Sequence, residues 1–172
     1  MGFHASKTCS EYVGIDPNSI LTEPYEKLKS WLHKHFNNAN KQAIFIKECA
    51  EDVDYSKLGM FDIIFTSPPY FDLEIYSQEE NQSCLKYPQL TLWRDNFLFA
   101  TLEKVIPILK DNGILAINIK NAKKWPIDIC GEMVEFIKSK GLEQQETLNL
   151  LLAKRPALDK DSSEPIFIFQ KT

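Results

Sequence analysis

Ser67-Pro68-Pro69-Tyr70 is the segment of this chain whose residue types and order most directly suggest chemistry. It follows Phe61-Asp62-Ile63-Ile64-Phe65-Thr66, whose apolar run Ile63-Ile64-Phe65 is of the kind that forms a strand buried on both faces. Two prolines then lack backbone N–H groups and hold φ near roughly −65°, so a central strand must stop there. The residue before each proline is pushed into extended geometry. The outcome is a stiff elbow at the carboxyl end of a strand, with an aromatic ring just beyond it. In open α/β sheets that edge is where ligands bind. The Ser67 hydroxyl and the Pro68 carbonyl are hydrogen-bond acceptors suited to hold a planar amino group with its nitrogen facing an electrophile. The Tyr70 ring can stack on a flat heterocycle. A structural turn with a core tyrosine is the alternative use of the same residues.

Other candidates fall at two further strand ends. Tyr12-Val13-Gly14-Ile15-Asp16 reads as a short strand ending in an acid. A carboxylate there can accept from both hydroxyls of a ribose, or Asp16 caps the turn at Pro17. Ala43-Ile44-Phe45-Ile46 reads as the next strand, with Cys49-Ala50-Glu51-Asp52 after it. An acid or a backbone N–H at this point would lie beside the Asp16 tip, where an adenine can sit. The acids also suit a helix start. Residues 71–85 form a long polar stretch placed to cover the site. Within it Asp72 and Glu74 either orient a substrate or are solvated. Cys9, Cys49, Cys84 and Cys130 are scattered, with no C-x-x-C pair and no histidine set to complete a metal site. Cys49 reads as a core thiol.

The elements that must position these residues follow from periodicity. Residues 22–37 have helical spacing, with Leu28, Trp31 and Leu32 as the apolar stripe. Residues 87–109 read as a long amphipathic helix stopped by Asp111-Asn112-Gly113. Residues 114–119 form a buried strand, with Lys120, Lys123 and Lys124 after it on the ligand edge. Residues 126–140 read as another amphipathic helix, and 148–153 and 166–169 as two last strands joined without a helix. Such alternation predicts one α/β domain over residues 1–172, a mainly parallel sheet with helices on both faces and a C-terminal antiparallel hairpin. The length of 172 residues and 44% hydrophobic content support one sizeable core. A net charge of −4 argues against a broad electropositive surface. The scattered cysteines read as those of a reducing, cytoplasmic setting; no stretch has the length of a membrane span and none reads as a signal peptide.

In these residues the chain resembles the AdoMet-dependent amino-methyltransferases that modify exocyclic amines of bases in DNA. Ser67-Pro68-Pro69-Tyr70 within FDIIFTSPPY matches the family's catalytic motif. Tyr12 to Asp16 matches the acidic second-strand motif, and Ala50-Glu51-Asp52 the third-strand motif less tightly. DNGILAINIK matches the helix end and strand that follow the catalytic motif. The resemblance spans about residues 11–172. It implies a Rossmann-like sheet in which Asp16 takes the ribose of S-adenosyl-L-methionine. Ala50, Glu51 and Asp52 would lie at the adenine. Ser67, Pro68, Pro69 and Tyr70 would hold a flipped-out base, N4 of cytosine being favoured slightly over N6 of adenine. No metal is implied.

The family also starts with a strand and a Gly-rich loop around the methionine part of the cofactor. Gly2 and Phe3 are all this chain offers there, so residues 1–10 read as a degenerate remnant or the end of a truncated segment. The first strand is then absent from the sheet. The 71–85 stretch is too small to read many bases, so target recognition would come from a partner subunit or a missing segment, or specificity would be low. Methylation of an RNA base amine or a protein glutamine is a second expectation, and a non-catalytic remnant a third.

Overall fold

The computed structural model describes residue 3 and residues 6–35, 41–151 and 163–172. The strands are β1 (Glu11–Ile15), β2 (Gln42–Ile46), β3 (Phe61–Thr66), β4 (Leu109–Asn118), β5 (Leu142–Leu151) and β6 (Ser163–Lys171). The α-helices are α1 (Thr22–His35), α2 (Ser83–Lys86), α3 (Leu90–Trp93), α4 (Ala100–Val105) and α5 (Ile129–Ser139). A π-helical stretch, Arg94–Phe99, joins α3 to α4. Short 3₁₀ turns occupy Ser19–Leu21 and Tyr55–Lys57.

The strands form two ladders rather than one. β1 pairs with β2 in parallel, from Glu11 opposite Gln42 to Ile15 opposite Ile46. A separate four-stranded sheet has the order β3-β4-β6-β5. Within it β3 and β4 are parallel, whereas β4–β6 and β6–β5 are antiparallel. The expected C-terminal antiparallel hairpin is present, but the sheet is mixed rather than mainly parallel. β6 carries the difference, because it inserts between β4 and β5 and runs against both.

Apolar burial concentrates on the larger sheet. Trp93, Leu102, Leu109, Leu115, Ile117, Ile129, Met133, Ile137 and Phe169 are fully buried between β4, β6 and the helices from α3 to α5. α5 starts at Asp128, whose carboxylate accepts from the Gly131 N–H. It stops before Gly141, whose φ of +88° favours glycine. Two sequence expectations change here. The helix expected over 87–109 is broken into α3, the π-helical stretch and α4. Asp111-Asn112-Gly113 does not stop a helix but lies inside β4. The pairing with β3 shifts register between Phe61 and Ile63. Asn112 takes φ +61°, and a side chain at Gly113 would meet the Lys110 carbonyl at 2.7 Å.

The smaller ladder is thinly covered. In α1 only Leu32 is buried, and Leu28 and Trp31 are exposed, against the stripe expected from spacing. β3 also departs from the fully buried strand its composition suggests. Ile63 and Phe65 are 61% and 63% exposed, while Ile64 packs against the core. Ile63 and Phe65 point to one face of the strand and Ile64 to the other, and among the described residues β3 pairs with β4 alone, which leaves one edge without a strand partner. β1 likewise pairs only with β2, and among the described residues no strand lies between β1 and β3. An unpaired edge with exposed apolar side chains is a template for self-association. Ile63→Lys should therefore leave the unfolding free energy within about 0.5 kcal/mol of wild type and reduce light scattering on concentration. A loss of about 2 kcal/mol or more in chemical denaturation would show that this face is covered.

Candidate active site

The carboxyl ends of β1 and β3 reach one cavity of about 360 Å³. Ile15, Asp16 and Asn18 supply one wall, Cys49, Ala50 and Glu51 a second, and Thr66, Ser67, Pro68 and Pro69 a third. Tyr76, Ser77, Asn81, Gln82 and Ser83 close it from the segment after the elbow, with Phe97 behind.

Asp16 is held with both oxygens engaged. Oδ1 accepts from the Asn18 N–H at 2.9 Å, and Oδ2 from the Tyr25 hydroxyl at 2.8 Å. Each oxygen keeps acceptor capacity beyond one bond. Burial, reinforced by the Asp16 carboxylate, pushes the Tyr25 phenol up to about 12, so it stays a donor at neutral pH.

Glu51 is buried and paired. Lys86 Nζ lies 2.9 Å from Glu51 Oε1 and 2.5 Å from Asp52 Oδ2. Burial works against the Lys86 charge, but hydrogen bonds to Asp52 and Glu51 outweigh it and hold its pKa up. The Tyr55 hydroxyl donates to the Ala50 carbonyl at 2.9 Å, and Lys104 donates to the Glu51 carbonyl. Cys49, Glu51 and Asp52 bring potential ligand atoms within 4.8 Å of one another, but Lys86 already supplies the cation there. The Cys49 thiol is pushed up by burial and then by Glu51, which disfavours a thiolate.

At the elbow, Ser67 is exposed and its hydroxyl donates to Asn118 Oδ1 at 3.4 Å. Asn118 Nδ2 in turn donates to the Pro165 carbonyl at 3.0 Å. The Pro69 carbonyl accepts from the Phe71 N–H at 2.9 Å, whereas among the described residues no hydrogen bond takes the Pro68 carbonyl. Phe71 sits at φ +43°, a conformation bulky residues rarely adopt. Its ring is wedged against Trp93 and Trp125, with centroids 6.0 Å and 6.5 Å away.

Tyr70 is placed differently from the sequence expectation. It is 5% exposed and does not line the cavity. Its hydroxyl donates to Glu164 Oε2 at 3.5 Å, and its N–H to Glu74 Oε2 at 3.3 Å. Burial, followed by the charges of Glu164 and Glu74, raises its pKa. Buried in this way the ring offers no open face to the cavity, and its hydrogen bonds tie the elbow to Glu74 and Glu164. Of the other expected cofactor contacts, Asp16, Ala50 and Glu51 line the cavity and Asp52 does not. Phe3 does not line it either, and packs against Tyr12 at 5.6 Å and beneath Lys41. Gly2 lies outside the described residues.

The expected covering role of residues 71–85 takes a specific form. The segment works as a strap between the two ladders. Glu79 accepts from both the backbone N–H and the hydroxyl of Ser19, and Asn81 Nδ2 donates to the Pro17 carbonyl at 3.1 Å. Buried Gln82 accepts from the Tyr76 and Ser77 N–H groups at 2.9 Å and 2.8 Å. Asp72 pairs with Lys124 at 2.6 Å, so it is neither free to orient a substrate nor merely solvated. Asn118 and Phe97 were not legible as site residues. Each stands in an apolar run, where spacing reads as core.

No protein-family model matches the chain, and no curated protein does. Solved structures do. A methyltransferase from Pyrococcus furiosus superposes with a TM-score of 0.53 at 15% identity, over 99% of this chain and 68% of that one. The N-methyltransferase NodS from Bradyrhizobium japonicum WM9, in complex with S-adenosyl-L-homocysteine, gives 0.56 at 10% identity, over 94% and 78%. An rRNA methylase from Streptococcus thermophilus gives 0.54 at 11% identity, over 94% and 86%. The chain has the Rossmann-like α/β fold of these methyltransferases. Among the described residues, no helix is long and apolar enough to cross a membrane.

Two outcomes follow from the site's ion pairs. Lys86→Met leaves the buried Glu51 without its partner and should cost about 2 kcal/mol in denaturant unfolding, with Glu51→Gln in the same chain recovering much of it. The hydrogen bonds from Ser19 lower the Glu79 pKa below its ordinary value. Their contribution is therefore fully present above the unfolded-state glutamate pKa and is lost as pH falls through the lower, folded-state one. Protection of the Ser19 amide, its exchange rate relative to the intrinsic rate at each pH, should fall on that descent, and unchanged protection in Glu79→Ala at neutral pH would contradict the clasp.

Proposed function

We propose that this chain is a methyltransferase domain that binds S-adenosyl-L-methionine and methylates an exocyclic amino group of a base in DNA, N4 of cytosine or N6 of adenine. The observation that carries the reading is the convergence of Asp16, Ala50, Glu51 and Ser67-Pro68-Pro69 on one cavity at the carboxyl ends of β1, β2 and β3. That is where ligands sit in open α/β sheets.

The residues present fit the cofactor. Asp16 is fixed by Asn18 and Tyr25 with acceptor capacity left for two ribose hydroxyls. Ala50 and Glu51 stand on the adjoining strand end, where the adenine would lie. The cavity volume lies within the range of small-molecule sites, about 300–1,000 Å³. When bound, the cofactor supplies an electrophilic methyl group on a sulfonium sulfur.

The chain's own residues would hold the acceptor. Because the Ser67 hydroxyl donates to Asn118, its lone pairs remain for an amine N–H. The untaken Pro68 carbonyl is suited to the second hydrogen. With both hydrogens held, the nitrogen lone pair turns away from these acceptors. The proton released on methylation passes to solvent water, while the Ser67 oxygen only accepts a hydrogen bond from the amine. Nothing in this scheme needs a covalent enzyme intermediate, and positioning does most of the catalysis.

One observation favours a second reading, a domain that keeps the cavity without turning over. Among the described residues no glycine lines the cavity, so none of them supplies the close-approaching backbone of a Gly-rich loop there. Calorimetry with S-adenosyl-L-methionine and transfer of a labelled methyl group to single- and double-stranded DNA separate the two. The proposal expects both signals. It also expects at least tenfold weaker cofactor binding for Asp16→Ala, a loss of about 1.4 kcal/mol, and a fall in turnover exceeding any change in substrate affinity for Ser67→Ala. Cofactor binding without transfer to any DNA would leave the non-catalytic reading.

A further inference from the structure

The aromatic ring that sequence assigns to the acceptor is buried, and a different aromatic stands open at the cavity. Tyr76 is 62% exposed and lines the cavity together with Ser67, Pro68 and Pro69. It also forms a wall of the adjoining hollow that includes Ile20 and Ile75. Exposed rings are usually free to rotate, but Tyr76 is fixed at both ends. Its N–H donates to Gln82 Oε1 at 2.9 Å, and its hydroxyl to Glu74 Oε2 at 2.6 Å. The same Glu74 oxygen accepts from the Tyr70 N–H, so the exposed ring and the elbow share one anchor. Holding an apolar surface rigid in water lowers the entropic cost of a later contact. Ile20 and Ile75 are themselves exposed, so the ring belongs to an apolar patch at the mouth.

The charge around the patch selects what can use it. Residues 71–85 carry Asp72, Glu74, Glu79 and Glu80 and neither lysine nor arginine. A phosphate backbone gains nothing against this rim. A flat uncharged ring gains stacking.

We propose that Tyr76, and not Tyr70, is the stacking platform for the acceptor, an unpaired nucleobase presented out of a strand. The proposal rests on the methyltransferase reading above. Tyr70 then acts as a positioning residue that sets the Ser67–Pro68 elbow through Glu74 and Glu164. Base–aromatic stacking is sequence-tolerant, so Tyr76 contributes affinity while Ser67 and Pro68 select the amine.

The test uses the 172-residue chain saturated with S-adenosyl-L-homocysteine, whose binding is read separately by calorimetry. Fluorescence anisotropy measures two single-stranded DNA probes, identical except that one carries a central cytosine or adenine and the other an abasic site. The base-over-abasic ratio cancels the backbone contribution. Wild type should prefer the base by about tenfold. Tyr76→Ala should reduce that ratio to near one, with cofactor affinity unchanged, and Tyr76→Phe should keep it. A ratio preserved in Tyr76→Ala overturns the proposal. So does a wild-type ratio near one while the cofactor still binds, or tighter binding of a glutamine-containing peptide. Failure of wild type to bind the cofactor would instead overturn the methyltransferase reading, and the platform with it.

Discussion

Among the described residues the β1–β2 ladder and the β3-β4-β6-β5 sheet share no strand-to-strand hydrogen bonds, yet their carboxyl ends form one cavity. Everything about the site depends on how these two bodies of backbone are held together without a common ladder. The work falls to the polypeptide between Tyr70 and Lys86. It leaves the end of β3, crosses to the turn after β1 through Glu79 and Asn81, and reaches the end of β2 through Lys86. Apolar contact adds to it, since Ile15 and Ile46 pack against the core of the larger sheet. Single polar contacts at a surface contribute little one at a time, but here the hydrogen bonds of Glu79 and Asn81 hold the end of β1 and the ion pairs of Lys86 the end of β2. Losing one displaces a wall of the cavity rather than an isolated side chain.

The elbow is set by the same economy of contacts. Two prolines end β3, and the chain must then turn sharply away. Phe71 takes the left-handed conformation this requires, its ring held between Trp93 and Trp125. Tyr70 points inward and is fixed by Glu164, which Lys120 neutralises at 2.8 Å. Strain of this kind persists only where the surroundings over-determine it. The result is a Ser67 that is exposed beside a Pro68 that is buried, the pairing a site needs to present acceptors on a rigid base.

The elements were legible where composition and burial agree. β4 and α5 carry strong apolar patterns and are buried as those patterns require. The meeting of Asp16, Glu51 and Ser67 at one cavity was legible because acids and prolines at strand ends have few structural uses. Legibility failed where the partner decides the outcome. Ile63 and Phe65 look like core residues, but both lie on the face of β3 opposite Ile64, and Ile64 is the one that packs against the core. Trp31 and Leu28 look like a buried stripe and are not, because a two-stranded ladder offers too little surface to cover them. Tyr70 looked like a ligand platform, but which way a ring turns after a Pro-Pro elbow depends on Glu164, which lies almost a hundred residues along the chain. Asn118 was hidden by the apolar run around it.

The central claim is that the strand ends joined by the strap form a cofactor cavity. Backbone amide shifts of the labelled chain, followed during titration with S-adenosyl-L-homocysteine, test it most directly. Saturable perturbations are expected at Ile15, Asp16 and Asn18, at Cys49 to Glu51, at Thr66 and Ser67, and at Ser77 and Asn81 in the strap. No perturbation at these amides in a folded chain, or perturbations confined to the exposed face of β3, would contradict it.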